Sequence, residues 1–231
     1  MKLLRIFVAV LLTGCAAIAQ GGAPTLDSVL ASMDNAAARF HTAQANFKWD
    51  QFESAVNERD IQSGTIFIQR SGGKLQMMAH VTDPANAEKY ALYNGSTVQL
   101  FDVTPNRKTE YNAGNNKETF ETFLVLGFGG GGHELQKSFE VKLDGTEAVD
   151  GVNTARLLLT PRSQKVRNVF ERIYLWIDPG RGIALRQKFL EPQTGNYRDA
   201  VYTNIKLNAP LPGDAFKLPT NNKTQTVKPQ G

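Results

Sequence analysis

The sequence predicts a mainly β domain, one antiparallel sheet closed or nearly closed on itself, with two helical segments packed on it. Three observations predict it. Short runs of alternating apolar residues recur at regular spacing over residues 45–207, the period-two signature of half-buried strands. Turn dipeptides separate many of them: Asn94-Gly95, Asp144-Gly145, Asp150-Gly151 and Gly195-Asn196. Only residues 26–41 and 115–126 repeat apolar side chains at helical spacing instead.

The elements follow in order. Residues 1–5 are short and positive, residues 6–12 are a continuous apolar run, and small residues follow. The run is too short to span a bilayer, which needs about 20 residues, and the pattern is that of an export signal over residues 1–19. Two cleavage readings stand. Ala17-Ile18-Ala19 fits an ordinary signal-peptidase site, whereas Leu12-Thr13-Gly14-Cys15 is similar to a bacterial lipobox and would leave Cys15 lipid-modified. Either way the chain leaves the cytoplasm. After a small-residue linker, Thr25 caps a helix whose stripe is Leu26, Val29, Leu30, Met33, Ala37 and Phe40. Ala45, Phe47 and Trp49 begin the strand series, and residues 57–62 read as a polar turn. Ile66, Phe67 and Ile68 make a strand apolar on both faces; Leu75, Met77, Ala79 and Val81 alternate with polar and mixed neighbours. Residues 90–103 are a hairpin about Asn94-Gly95, and residues 108–111 another short strand. Phe120, Phe123 and Leu124 share a helical face that ends in the glycine-rich residues 127–132, expected to be a flexible connector. Five more strands are expected over residues 139–207, and residues 222–231 as a disordered polar tail. No composition shift marks a second domain within residues 20–221.

Composition excludes several classes. The 231 residues are 41% hydrophobic and 21% charged, with 20 Gly and 10 Pro, which is ordinary globular usage. Net charge is +4; without Lys2 and Arg5 it is 24 basic against 22 acidic, or +2, too weak a bias for a nucleic-acid partner. A single cysteine allows no intramolecular disulfide and no Cys-rich metal site. His41, His80 and His133 belong to no zinc-binding pattern, and no Gly-x-Ser-x-Gly elbow occurs. Residues 127–132 satisfy Gly-x-Gly-x-x-Gly but follow a helical segment rather than a strand, so the dinucleotide reading fails. We therefore expect no enzyme, no cofactor and no metal. What stands out is apolar: Phe47, Trp49, Phe67, Met77, Phe101, Trp176 and Phe189 on strands. A small closed sheet either packs such side chains or keeps a ligand cavity.

Several segments, in order over residues 26–221, resemble the bacterial outer-membrane lipoprotein carrier family, LolA and LolB. They are Arg39-Phe40-His41; Gly64, a five-residue strand and Arg70; the hairpin Tyr90-Ala91-Leu92-Tyr93-Asn94-Gly95; Leu157-Leu158-Leu159-Thr160-Pro161; and Asp214-Ala215-Phe216-Lys217-Leu218-Pro219. Ser71 stands where the family often has Pro. The resemblance implies an open, incomplete antiparallel β-barrel covered by helices around an apolar cavity for acyl chains. It implies a periplasmic, monomeric carrier of acylated lipoproteins or related lipid cargo, loaded by an inner-membrane release complex and unloaded at an outer-membrane acceptor. An anchored acceptor and an envelope-stress sensor are alternatives on the same fold. The seven apolar strand residues become cavity-lining candidates, and Leu30, Met33, Phe40, Phe120, Phe123 and Leu124 lid candidates. Arg70 becomes the candidate for lid closure and cargo release, because a guanidinium offers five donors to lid carbonyls.

Overall fold

The computed structural model describes residues 23–114, 121 and 126–229. Cys15, Phe120, Phe123 and Leu124 lie outside these described residues.

Twelve strands form one sheet: β1 (Thr42–Glu53), β2 (Glu58–Ser71), β3 (Lys74–Asp83), β4 (Lys89–Tyr93), β5 (Thr97–Asp102), β6 (Arg107–Asn112), β7 (Phe139–Val149), β8 (Val152–Pro161), β9 (Arg172–Asp178), β10 (Ile183–Leu190), β11 (Tyr197–Leu207) and β12 (Gln225–Val227). The order is β12-β6-β5-β4-β3-β2-β1-β11-β10-β9-β8-β7. β12 and β7 are its two edges, so the sheet is an open half-barrel rather than a closed one. Pairing of β1 with β11 joins the two meanders, β1–β6 and β7–β11. Sequence pattern shows strands but not whether the first and last close on each other.

Among the described residues, the sheet is accompanied by the helices α1 (Leu26–Ala38), α2 (Gly132–Ser138) and α3 (Gln164–Arg167). α1 begins where expected. The Thr25 hydroxyl accepts from Ser28 N, and Ser28 Oγ accepts from Thr25 N, a reciprocal cap. Val29, Leu30 and Met33 are fully buried. The helix stops before Phe40, because Asn208 clamps the exit: its Oδ1 accepts from His41 N at 2.8 Å and its Nδ2 donates to Arg39 O at 2.9 Å. α2 was not expected; seven residues with Leu135 buried leave too short a stripe to read.

The core lies on the inner face, which the helices cover. Ala155, Leu157, Leu159, Ile173, Leu175 and Ile177 pack against Leu30 and Met33 of α1. Beside them, Ala43, Ala45, Phe47, Ile66, Ile68, Leu75, Ala79 and Val81 pack with Phe40 and Phe128.

Three expectations need correction. Residues 58–62 are the start of β2, paired with β1, rather than a turn; this end of the hairpin reads as a turn because four of its five residues are polar and its one apolar residue, Ile61, is exposed. Residues 225–227 form the edge strand β12, parallel to β6, rather than a structureless tail. Backbone pairing holds them without any apolar anchor. The third concerns the outer face, which also carries apolar residues. Met78, Leu92 and Phe101 are buried there, on the side opposite Ile68 and Ala79. The chain after β11 runs from Asn208, beside the start of β1, to Asn221, bonded to Asn106 at the β5–β6 turn. Between them Ala215 is buried and Asp214 acts on Tyr90, so this strap crosses the outer face.

An ionic group decorates the other half of the outer face. Trp176 Nε1 donates to Glu147 Oε2 at 2.8 Å, and Arg186 lies 4.3 Å over the indole while holding Asp199 through two nitrogens. Arg156 also donates to Glu147. The Trp176 bond, then the bond from Arg156 and the charges of Arg186 and Arg156, hold the Glu147 carboxyl below its ordinary value of 4.5, against the opposing effect of burial. A carboxyl lowered in the folded state contributes stability above its unfolded pKa and loses it as pH falls through the folded one. The melting temperature of Glu147→Gln should therefore lie below that of the parent by a constant margin from neutrality to about pH 5, the margin closing at lower pH. A margin unchanged down to pH 3 would contradict the assignment.

Candidate functional site

The site is the inner face and the segment seated on it, residues 126–132. Leu126, Gly127, Phe128 and Gly129 are all buried. This corrects the expectation of a flexible connector. The glycines serve close approach rather than looseness. A Cβ at Gly132 would stand 2.5 Å from Leu30 Cα, so α1 and α2 touch through backbone. Gly129 has φ +78°, and a Cβ there would stand 2.6 Å from the Phe40 ring.

Three backbone carbonyls of the segment take hydrogen bonds from the sheet. Gln187 Nε2 donates to Leu126 O. Ala184 N donates to Gly127 O at 2.8 Å. Arg70 Nη1 donates to Gly129 O at 3.0 Å, with its guanidinium 5.6 Å from the centre of the Phe40 ring. Arg70 N also donates to His41 O at 2.8 Å, tying the end of β2 to the exit of α1. Phe128 fills the space between, edge-on to Tyr202 at 4.8 Å. The Tyr202 hydroxyl donates to Gln187 Oε1 at 3.4 Å, and burial pushes its pKa well up, so it stays a neutral donor. Farther along, the Tyr93 hydroxyl donates to Glu121 at 2.6 Å; burial first, then that carboxylate, push the Tyr93 pKa up as well.

The candidate residues divide between the faces. Phe47, Trp49, Met77 and Phe189 belong to the inner face, with Phe47 and Trp49 stacked at 4.2 Å. Leu30, Met33 and Phe40 cover it from α1 and its exit. Phe67, Phe101 and Trp176 do not line it. Phe67 pairs with Met78 on the opposite side from Ile66 and Ile68, Phe101 lies with Tyr90, and Trp176 packs with Leu185 and Ile183. Period two marks a strand as two-faced, but a strand apolar on both faces gives no sign of which one is inner. Gln187 was missed. It sits in the run Arg186-Gln187-Lys188, which reads as solvated, and the register shift between Ala184 and Arg186 hides its phase.

A separate depression of about 650 Å³ opens at the register shift between β1 and β11, lined by Gln44, Asn46, Asp150, Arg181, Leu185 and Lys206 among others. Leu185 belongs to the outer-face cluster, and the depression shares none of the three carbonyl contacts. Among the described residues no group of three or more His, Cys, Asp or Glu could hold a metal, and no helix is long and apolar enough to cross a membrane.

No protein-family model and no curated protein matches the sequence. Solved structures do. MucB is 16% identical over 89% of this chain and 67% of its own, with a TM-score of 0.54. In the complex of MucA and MucB from Pseudomonas aeruginosa the figures are 15%, 84%, 60% and 0.50. A conserved protein from Thermus thermophilus is 14% identical over 88% of this chain and 98% of its own, at 0.54. A LolA superfamily protein from Nitrosomonas europaea is 13% identical over 85% and 99%, at 0.41. At such identities the likeness is one of fold. The fold is shared with MucB and the Thermus protein. This chain spans about two thirds of MucB.

Gly129 tests the seating directly. Gly129→Ala places a side chain at a left-handed φ and against Phe40, a strain of more than about 1 kcal/mol. It should lower the melting temperature and raise the binding of an apolar dye as the inner face opens. Unchanged melting and dye binding would show that the segment has room to spare.

Proposed function

We propose that the protein is an exported carrier that shelters the acyl chains of a lipoprotein or related amphiphile on its inner face. The observation that carries this reading is the bond from Arg70 to Gly129 O over Phe40 and Phe128. An apolar half-barrel is closed by its own chain, and of the three hydrogen bonds that seat it the one at the rim is charge-assisted. Such a bond contributes about 1.5–3 kcal/mol at most. Each buried CH₂ of an acyl chain contributes about 0.8 kcal/mol, so one chain outweighs the latch. The resemblance of its segments to LolA and LolB supports the reading, and with the export signal it supports an envelope location, as a soluble periplasmic protein or one anchored through Cys15. Lipid-bearing cargo, a donor complex and an acceptor would be its partners, without catalysis or a cofactor.

A second reading is a regulatory role through a protein partner. It is favoured by the fold likeness to MucB, whose structure in complex with MucA is among the matches.

The test is the off-rate of a fluorescent acylated peptide. Arg70→Leu removes a bond that opposes loading, so the peptide should leave about tenfold more slowly, the factor that 1.4 kcal/mol supplies, with the melting temperature of the empty protein lowered by only about 3–6 °C. Arg70→Lys keeps the charge without the planar fork and should be intermediate. Equal off-rates with a fall in stability would make Arg70 structural.

A further inference from the structure

Three donors on the inner face are spent on one short stretch of backbone. Gln187 Nε2, Ala184 N and Arg70 Nη1 meet Leu126 O, Gly127 O and Gly129 O, in that order. Their surroundings are hydrocarbon: Leu126, Leu175, Ile177 and Ala184 on one side, Phe40, Ile68 and Phe128 on the other. Ala184 N points to the segment because β11 pairs with β10 only from Arg186 onward. Gln187 is 6% exposed, and Tyr202 holds its amide oxygen. If cargo displaces the segment, these donors lose their acceptors within an apolar pocket, and a buried donor left unpaired is costly. A plain hydrocarbon chain cannot accept a hydrogen bond. An ester or amide carbonyl can, and it has the same geometry as the peptide carbonyl it would replace.

We propose, resting on the carrier reading, that residues 126–129 stand in for cargo. The inner face then recognises the carbonyl groups of ester- or amide-linked acyl chains, with Gln187 and the Ala184 N–H as specificity-determining donors. The seated segment occupies the carbonyl subsites when the protein is empty. Loading exchanges peptide carbonyls for acyl carbonyls, so the donors stay paired in both states. Discrimination comes from the linkage as well as from the chain length.

The experiment compares two lipids of equal chain length, 1,2-dioctanoylglycerol with two ester carbonyls and its dioctyl ether analogue with none. The protein should bind the ester at least about tenfold more tightly, which is 1.4 kcal/mol. Gln187→Met keeps the length of the side chain and removes the donor. It should bring the preference down severalfold, through a gain in affinity for the ether, which no longer strands a donor, while affinity for the ester changes little. The double variant Gln187→Met, Tyr202→Phe removes the hydroxyl that the single change orphans and serves where the single variant folds poorly. Equal affinity for ester and ether in the parent protein, or a preference that survives in both variants, overturns the proposal and leaves the carrier reading standing. Binding of neither lipid overturns both.

Discussion

The structure depends on how residues 126–132 are seated. Three peptide carbonyls bonded to Gln187, Ala184 and Arg70 fix the segment on the sheet, and Phe128, 2% exposed, fills the face between them. Everything above it is placed by this contact. α2 starts at Gly132, against the backbone of Leu30, and α1 lies over the same core. His133 N donates to Asp34 Oδ1 at 3.2 Å, which joins the two helices at the surface. The magnitudes suit a reversible cover. Burying a phenylalanine contributes about 1.5–3 kcal/mol, and three hydrogen bonds add about 0.5–3 kcal/mol each. An acyl chain of about sixteen carbons, at about 0.8 kcal/mol per CH₂, reaches the top of that range.

The rest of the molecule makes a frame for the proposed exchange. β1 and β2 pair along their full length and continue into β11 on one side and β3 on the other. Ala215 of the strap after Asn208 is buried, and Arg186 and Glu147 cover Trp176 on the outer face. A sheet braced from outside can lose its inner cover without losing its strands. Asn208 has a double role, since it caps the α1 exit and begins the strap. The inner cover and the outer strap are thus tied at one residue.

Much of the fold was legible. Thr25, Leu30 and Met33 marked α1, and Asn94-Gly95 marked the β4–β5 hairpin, because caps and tight turns are local chemistry. Arg70 was legible only through the family resemblance; its contact with Gly129 spans 59 residues and has no local signal. The choice of face was not legible for Phe67, Phe101 and Trp176, since a strand apolar on both faces does not show which one is inner. The glycines of residues 127–132 misled for a definite reason. Glycine permits both a loose loop and a very close approach, and only the neighbours decide between them. Gln187 stayed hidden because the register shift after Ala184 changes which residues share its face.

The central claim is that acyl chains occupy the inner face in place of the seated segment. Nuclear Overhauser contacts between an acylated ligand and side-chain protons, which reach only a few ångström, test it most directly. The account predicts them at Ile68, Ala79, Leu157 and Ala184, all on the inner face, and none at Met78, Leu92 and Trp176 on the outer one. Contacts confined to the outer face, or to Asn46 and Lys206 at the β1–β11 depression, would contradict it.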